Sequence, residues 1–124
     1  MPPLTFTLPW PPSVNHYYRK VGNRMLISKK GRTFRMAVLS IVAAAHHPGL
    51  PLKMRQEVSV AYFPPDLRTR DIDNYDKPLL DALKKARVVV DDSSRHIARM
   101  VKDWRFPVPG GMVVVTFTSM EADQ

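Results

Sequence analysis

The chain has 124 residues, 44% of them hydrophobic and 24% charged, with 19 Lys plus Arg against 11 Asp plus Glu, a formal net charge of +8 and no cysteine. That length fits one folding unit, residues 1–124, with a core of its own; without cysteine, disulfides and thiolate metal sites are excluded. The basic balance points to a polyanionic partner, with nucleic-acid phosphates first, because binding them releases condensed counterions.

Residues 4–8, "LTFTL", alternate weakly and predict a strand. No basic segment followed by a long apolar run opens the chain. The longest apolar stretch, "AVLSIVAAA", is about half of what a bilayer crossing needs, so the expectation is a cytoplasmic protein that makes no membrane contact. "PWPP" forces an extended turn, since proline fixes φ and restricts the residue before it. "VNHYYR" and "RMLIS" flank Gly22-Asn23 and predict a hairpin. Ser28 is a candidate cap for a helix whose buried stripe is Phe34, Ala37, Val38, Ile41, Val42 and Ala45, ended by His46-His47-Pro48-Gly49.

"EVSVAYF" (57–63) predicts a strand stopped by Pro64-Pro65. A second helix is expected from about Asp73 to Ala86, with Leu79, Leu80, Leu83 and Ala86 inward. Pro78 is comfortable only in a first turn, so this helix starts near Asp76 or is distorted there. "RVVV" reads as a short strand, residues 96–105 as another, and "MVVVTFT" (112–118), after Gly110-Gly111, as the clearest of all. The sum is an α+β fold, one mixed sheet with two helices packed on it.

Asp66, Asp71, Asp73, Asp76, Asp81, Asp91 and Asp92 crowd one stretch of a basic protein. Asp71 and Asp73 stand at i and i+2, so an extended backbone would point both to one side. Asp91-Asp92 follows "VVV", and two loops of one sheet could converge at its edge. Carboxylates that close repel unless a positive charge sits between them. A hard divalent cation meets that need with oxygen ligands and can drive phosphodiester hydrolysis. The plainer alternative is helix-start and turn chemistry: Asp73 or Asp76 as a cap, Asp91-Asp92 as a turn. Asp81, four residues before Lys85, reads as a solvated helix pair.

The surrounding charge favours the metal reading. Arg68 and Arg70 flank the first cluster, Lys77 follows it, and Arg95 and Arg99 follow the second. Arginines can position phosphates while the metal handles the scissile one, and Lys77 could stabilise the transition state. Tyr17 and Tyr18, among Arg19, Lys20 and Arg24, could stack on opened bases or be half-buried strand residues beside a basic face. Asn15 and His16 are expected near the site. His46-His47 reads as favourable charge at a helix end, Trp10 and Trp104 as core or interface anchors, and Met36 and Met54 as packing.

"LTFTLPWPPSVNHYYR", "RDIDNYDKPLLDALKKA" and the following "DD" resemble, in order and across nearly the whole chain, the RusA family of Holliday junction resolvases, small endonucleases commonly carried by prophages. The resemblance implies a compact α+β homodimer that cuts four-way DNA junctions with Mg²⁺, with Mn²⁺ as an alternative ion. It implies metal-binding roles for Asp71, Asp73 and Asp92, a catalytic role for Lys77 and DNA contact for Arg70, with Arg68, Arg19 and Arg24 as further DNA-binding candidates and Asn74 within the central motif. "ARVVVDDSS" departs from the family's glycine-aromatic turn, so Asp91 stays an alternative to Asp92. Rival readings are a less selective metal nuclease acting on flaps or single strands, and a catalytically silent DNA-structure binder. Two incisions in strands of like polarity need two identical sites, which independently favours a two-fold dimer.

Overall fold

The computed structural model describes residues 2–120. Among these residues the elements are β1 (Leu4–Pro9), α1 (Val14–Tyr17), β2 (Tyr18–Val21), β3 (Arg24–Ile27), α2 (Lys29–Ala45), β4 (Gln56–Phe63), a 3-10 turn (Ile72–Tyr75), α3 (Asp76–Lys85), β5 (Ile97–Trp104) and β6 (Met112–Ser119). Four strands form one mixed sheet in the order β1-β6-β4-β5, with β6 antiparallel to both neighbours and β4 parallel to β5. Parallel neighbours cannot be joined by a tight turn. The crossover here is the segment that contains the 3-10 turn and α3. β2 and β3 pair as a separate hairpin closed at Gly22, whose φ of 59° suits a residue without Cβ.

Val58, Val60 and Tyr62 of β4, Val113, Val115 and Phe117 of β6, and Phe6 and Leu8 of β1 are buried at every second position, the period of a sheet with one face covered. They share one core with Phe34, Val38 and Val42 of α2 and with Leu79, Ala82 and Leu83 of α3. Ser28 caps α2 as expected, its hydroxyl accepting the Gly31 N–H at 3.0 Å. A Cβ on Gly31 would lie 2.5 Å from the Tyr17 carbonyl oxygen, so α2 abuts α1 as closely as only glycine allows.

Four segments differ from the sequence expectation. Val14–Tyr17 is helical, because the Ser13 carbonyl accepts the N–H groups of His16 and Tyr17 at 3.0 and 2.8 Å. α3 begins not at Asp73 but at Asp76, the start expected from Pro78, which lies in its first turn where no helical N–H is lost. "RVVV" is not a strand: Arg87 has a φ of 67°, and only Val89 makes an isolated bridge, to Leu52. Met36 and Met54 are 60% and 49% exposed and so are not packing residues; Met36 lies on the outer side of α2.

Leu83 is fully buried where α3 meets the sheet. Leu83→Ala is expected to cost about 2–5 kcal/mol of stability by transfer loss plus cavity, whereas Met36→Ala should stay within about 0.5 kcal/mol. Urea unfolding midpoints would check both, and equal effects would contradict the packing described.

Candidate active site

The seven crowded aspartates do different things. Asp76, the first residue of α3, accepts the Tyr62 hydroxyl and the Lys102 ammonium, each at 2.6 Å, and so ties the helix to β4 and β5. Burial pushes the Tyr62 phenol up, and the bond to Asp76 adds to it, keeping the hydroxyl a donor. Asp81 is not a solvated partner of Lys85. Its side chain, 14% exposed, is turned toward α1 and α2, where it accepts the Tyr17 hydroxyl as well as Arg35 Nη2 at 2.6 Å and Arg35 Nε at 2.9 Å. One carboxylate therefore joins three helices.

Two further aspartates hold local turns. Asp66 accepts the Arg68 N–H at 2.9 Å and pairs with Arg70 Nη2 at 2.8 Å. Asp91 accepts the Ser93 hydroxyl at 2.6 Å, His96 Nδ1 at 2.8 Å and the Ser93 N–H at 2.9 Å. The Ser93 and His96 side chains and the Ser93 backbone hold its carboxyl well below the usual range.

Asp71, Asp73 and Asp92 remain. All three are exposed, and among the described residues none of their carboxylates takes part in a hydrogen bond or an ion pair. Asp71 has an extended backbone (φ −81°, ψ 124°), but Asp73 lies inside the 3-10 turn, so strand alternation does not place them on one side. β4 and β5 are parallel, so the loop with Asp71 leaves the end where β4 finishes, while Asp92 leads toward the end where β5 begins. Among the described residues no group of three or more His, Asp or Glu side chains stands where it could hold a metal ion. The unpartnered oxygens suit a hard divalent cation by chemistry.

Lys77, exposed in the first turn of α3, has its ammonium 5.6 Å above the Tyr18 ring, a cation–π distance. Burial pushes the Tyr18 phenol up, and the charges of Asp81 and Asp92 add to this while Arg35 opposes it. Tyr18 therefore feels both Lys77 and Asp92, and its ring meets Tyr17 edge-on at 4.8 Å. Tyr17 itself is fully buried and is a structural residue.

Arg70 is turned inward: its side chain is 10% exposed, bound to Asp66, with Nη1 donating to the Asp66 and Arg68 carbonyls at 3.3 and 3.2 Å. Arg68 projects outward with a 3.3 Å contact to Asp66. Arg19, Lys20 and Arg24 are exposed on the hairpin and enter no ion pair among the described residues. Asn15 and His16 are exposed on α1, with His16 Nδ1 3.1 Å from the Ser13 hydroxyl, and Asn74 is half-buried in the 3-10 turn. His46 caps α2 in the left-handed conformation, and His47 Nδ1 accepts the Gly49 N–H, so the pair forms a helix end. Trp10 lies 4.9 Å from Tyr75, 5.6 Å from Trp104 and 5.8 Å from Tyr62, ring centre to ring centre. Sequence reasoning missed Arg35, Tyr62 and Lys102, whose partners lie 46, 14 and 26 residues away with no local pattern to mark them.

The family described as Endodeoxyribonuclease RusA matches residues 9–114. Similar proteins include the crossover junction endodeoxyribonuclease RusA of Shigella sonnei (strain Ss046), 40% identical over 120 residues that cover 94% of each chain. The enzymes of the same name from Enterobacteria phage 82 and phage HK97 are 40% and 36% identical, over 92% of both chains and over 94% of this chain and 95% of the relative.

The hydrogen bonds from Tyr17 and Arg35 outweigh burial and hold the Asp81 carboxyl below its ordinary value. A carboxyl lowered in the folded state contributes stability that is complete above its unfolded value, about pH 4, and fades as pH falls through the lowered one. Asp81→Asn is expected to be less stable than the parent at neutral pH, with the gap closing below about pH 4. Urea midpoints across that range test this, and a gap independent of pH would refute the assignment.

Proposed function

The chain belongs to the RusA family of endodeoxyribonucleases, and on that footing we propose that it is a divalent-metal-dependent endonuclease that resolves four-way DNA junctions by paired, symmetric nicks. The observation that carries this reading is the division among the aspartates. Four are engaged in holding the fold, while Asp71, Asp73 and Asp92 stand unpartnered among the described residues of a chain of net charge +8. A protein that only bound DNA would gain nothing from bare carboxylates facing phosphates.

In this reading Asp71, Asp73 and Asp92 hold Mg²⁺, with Mn²⁺ as an alternative. When bound, the ion lowers the pKa of a water and neutralises charge on the scissile phosphate. Asp92 is preferred over Asp91 because Asp91 is occupied by Ser93 and His96; Asp91 shapes the turn that presents its neighbour. Lys77, steadied over Tyr18, stabilises charge developing on the phosphate. Arg68, Arg19 and Arg24 grip the backbone, and Arg70 does so by exchanging the Asp66 carboxylate for a phosphate. Asn15 and Asn74 flank this region.

The working unit is a homodimer. A two-fold protein matches a two-fold junction, with one identical site carried by each chain. The protein acts in the bacterial cytoplasm, on bacterial or prophage DNA.

The test is cleavage of a mobile four-way junction and of a linear duplex of the same sequence, with and without Mg²⁺. The parent is expected to nick the junction in symmetric pairs only with metal. Asp71→Asn should bind without cutting, and Lys77→Ala should lose about 10²- to 10³-fold in rate. Comparable cutting of flaps or single strands would establish the less selective nuclease instead, and tight binding without cutting in either metal would establish the silent binder.

A further inference from the structure

Two cavities adjoin beside the loop that carries Asp71. The first, about 480 Å³, lies between the end of β1 and α2, with Trp10, the flanking prolines and Phe34 as its walls and Lys29 and Lys30 at its rim. The second, about 470 Å³, is lined by Ser13, His16, Arg68, Thr69, Arg70 and Tyr75 among others. Trp10, Pro11, Pro12 and Lys30 belong to both. Together they make one groove, apolar at one end and basic at the other, and among the described residues no acidic side chain lines either part. Arg68, Thr69 and Arg70 of the basic end immediately precede Asp71 in the chain.

The walls are fixed before anything binds. Trp10 sits between prolines, contacts Tyr62, Tyr75 and Trp104, and has the Arg70 guanidinium 6.0 Å over its ring. On its other side, a Cβ on Gly111 would come within 2.9 Å of Trp10 Cβ and 3.0 Å of Pro65 Cδ; the φ of 73° there also favours glycine. Trp10 is thus more than a core anchor, because it forms the wall between an apolar and a cationic compartment.

We propose that this groove holds one unpaired nucleotide of the branched DNA, its base against Trp10 and Phe34 and its phosphate among Lys30, Arg68 and Arg70. The proposal rests on the endonuclease reading and names a substrate subsite beside that site. A nucleotide has the required shape: a flat apolar ring joined to an anion. Either cavity is within the range of small-ligand sites, about 300–1,000 Å³. Aromatic platforms beside cationic grooves accept any base, because every base has a π-face. Branch points supply such bases at the lowest cost, since extrusion is easiest where stacking is already broken. A free nucleotide offers the same chemistry, so the test separates the two.

The experiment titrates the ¹⁵N-labelled protein, without metal, with the trinucleotide dTdTdT and separately with dTMP, and measures junction cleavage in Mg²⁺. Chemical shifts should move at the Trp10 indole N–H and at the amides of Thr33, Phe34 and Thr69, and dTdTdT should bind more tightly than dTMP. Thr33 is exposed on α2 and lines the apolar end, so Thr33→Trp fills the groove without disturbing the core. It should weaken dTdTdT binding about tenfold and raise KM on the junction more than it lowers kcat; Lys30→Gln should weaken binding in the same direction. Shifts confined to the β2–β3 hairpin, or binding and KM unaltered in both variants, would overturn the groove while leaving junction cutting by the parent intact. Equal affinity for dTMP and dTdTdT with unaltered junction KM would assign the groove to a free nucleotide and also overturn the proposal. A parent that cuts no DNA refutes the endonuclease reading, and the titration still decides the groove.

Discussion

Helix α3 carries a carboxylate on each of two turns, and both are used to hold the helix in place. Asp76 binds Tyr62 and Lys102 in the sheet, and Asp81 binds Tyr17 and Arg35 on the neighbouring helices. The segment that bears Asp71, Asp73 and Lys77 enters α3 directly, so its placement follows from these two ties. Removing one partner of such a part-buried pair leaves the other charge desolvated and alone, which is why the cost of breaking it exceeds the gain of making it. The same tie sets Tyr17, hence Tyr18, hence the ring over which Lys77 rests.

The puzzle of many carboxylates in a basic chain has a divided answer. Asp66 and Asp91 fold their own loops, Asp76 and Asp81 dock a helix, and the carboxylates of Asp71, Asp73 and Asp92 make no bond among the described residues. Function is read from the last group, because a charge that structure does not need has to be explained by something outside the fold. The endodeoxyribonuclease family of this chain points to DNA as that outside partner.

Local signals proved legible and long-range ones did not. The alternation of β4 and β6, the Ser28 cap, the hairpin at Gly22 and the effect of Pro78 on the start of α3 each depend on a few adjacent residues. The Tyr17–Arg35–Asp81 cluster spans three helices, and Asp81 has an obvious but wrong partner at i+4; nothing nearby in sequence says which way it faces. "VVV" has the composition of a strand, but Arg87 turns the backbone aside just before it. The parallel pairing of β4 with β5 depends on strand direction, which composition does not carry.

The β2–β3 hairpin stands apart from the four-stranded sheet, and nearly all its residues are exposed. A ribbon of two strands with so little burial has a small opening free energy, far below that of the core strands. Its amide protons should be among the first to exchange with solvent, through local fluctuations that leave the rest folded. Arg19, Lys20 and Arg24 therefore ride on the most compliant part of the molecule. Under the proposed junction reading, the softness of that ribbon would let these cations follow substrate arms that change angle, at no cost to the rigid half of the protein.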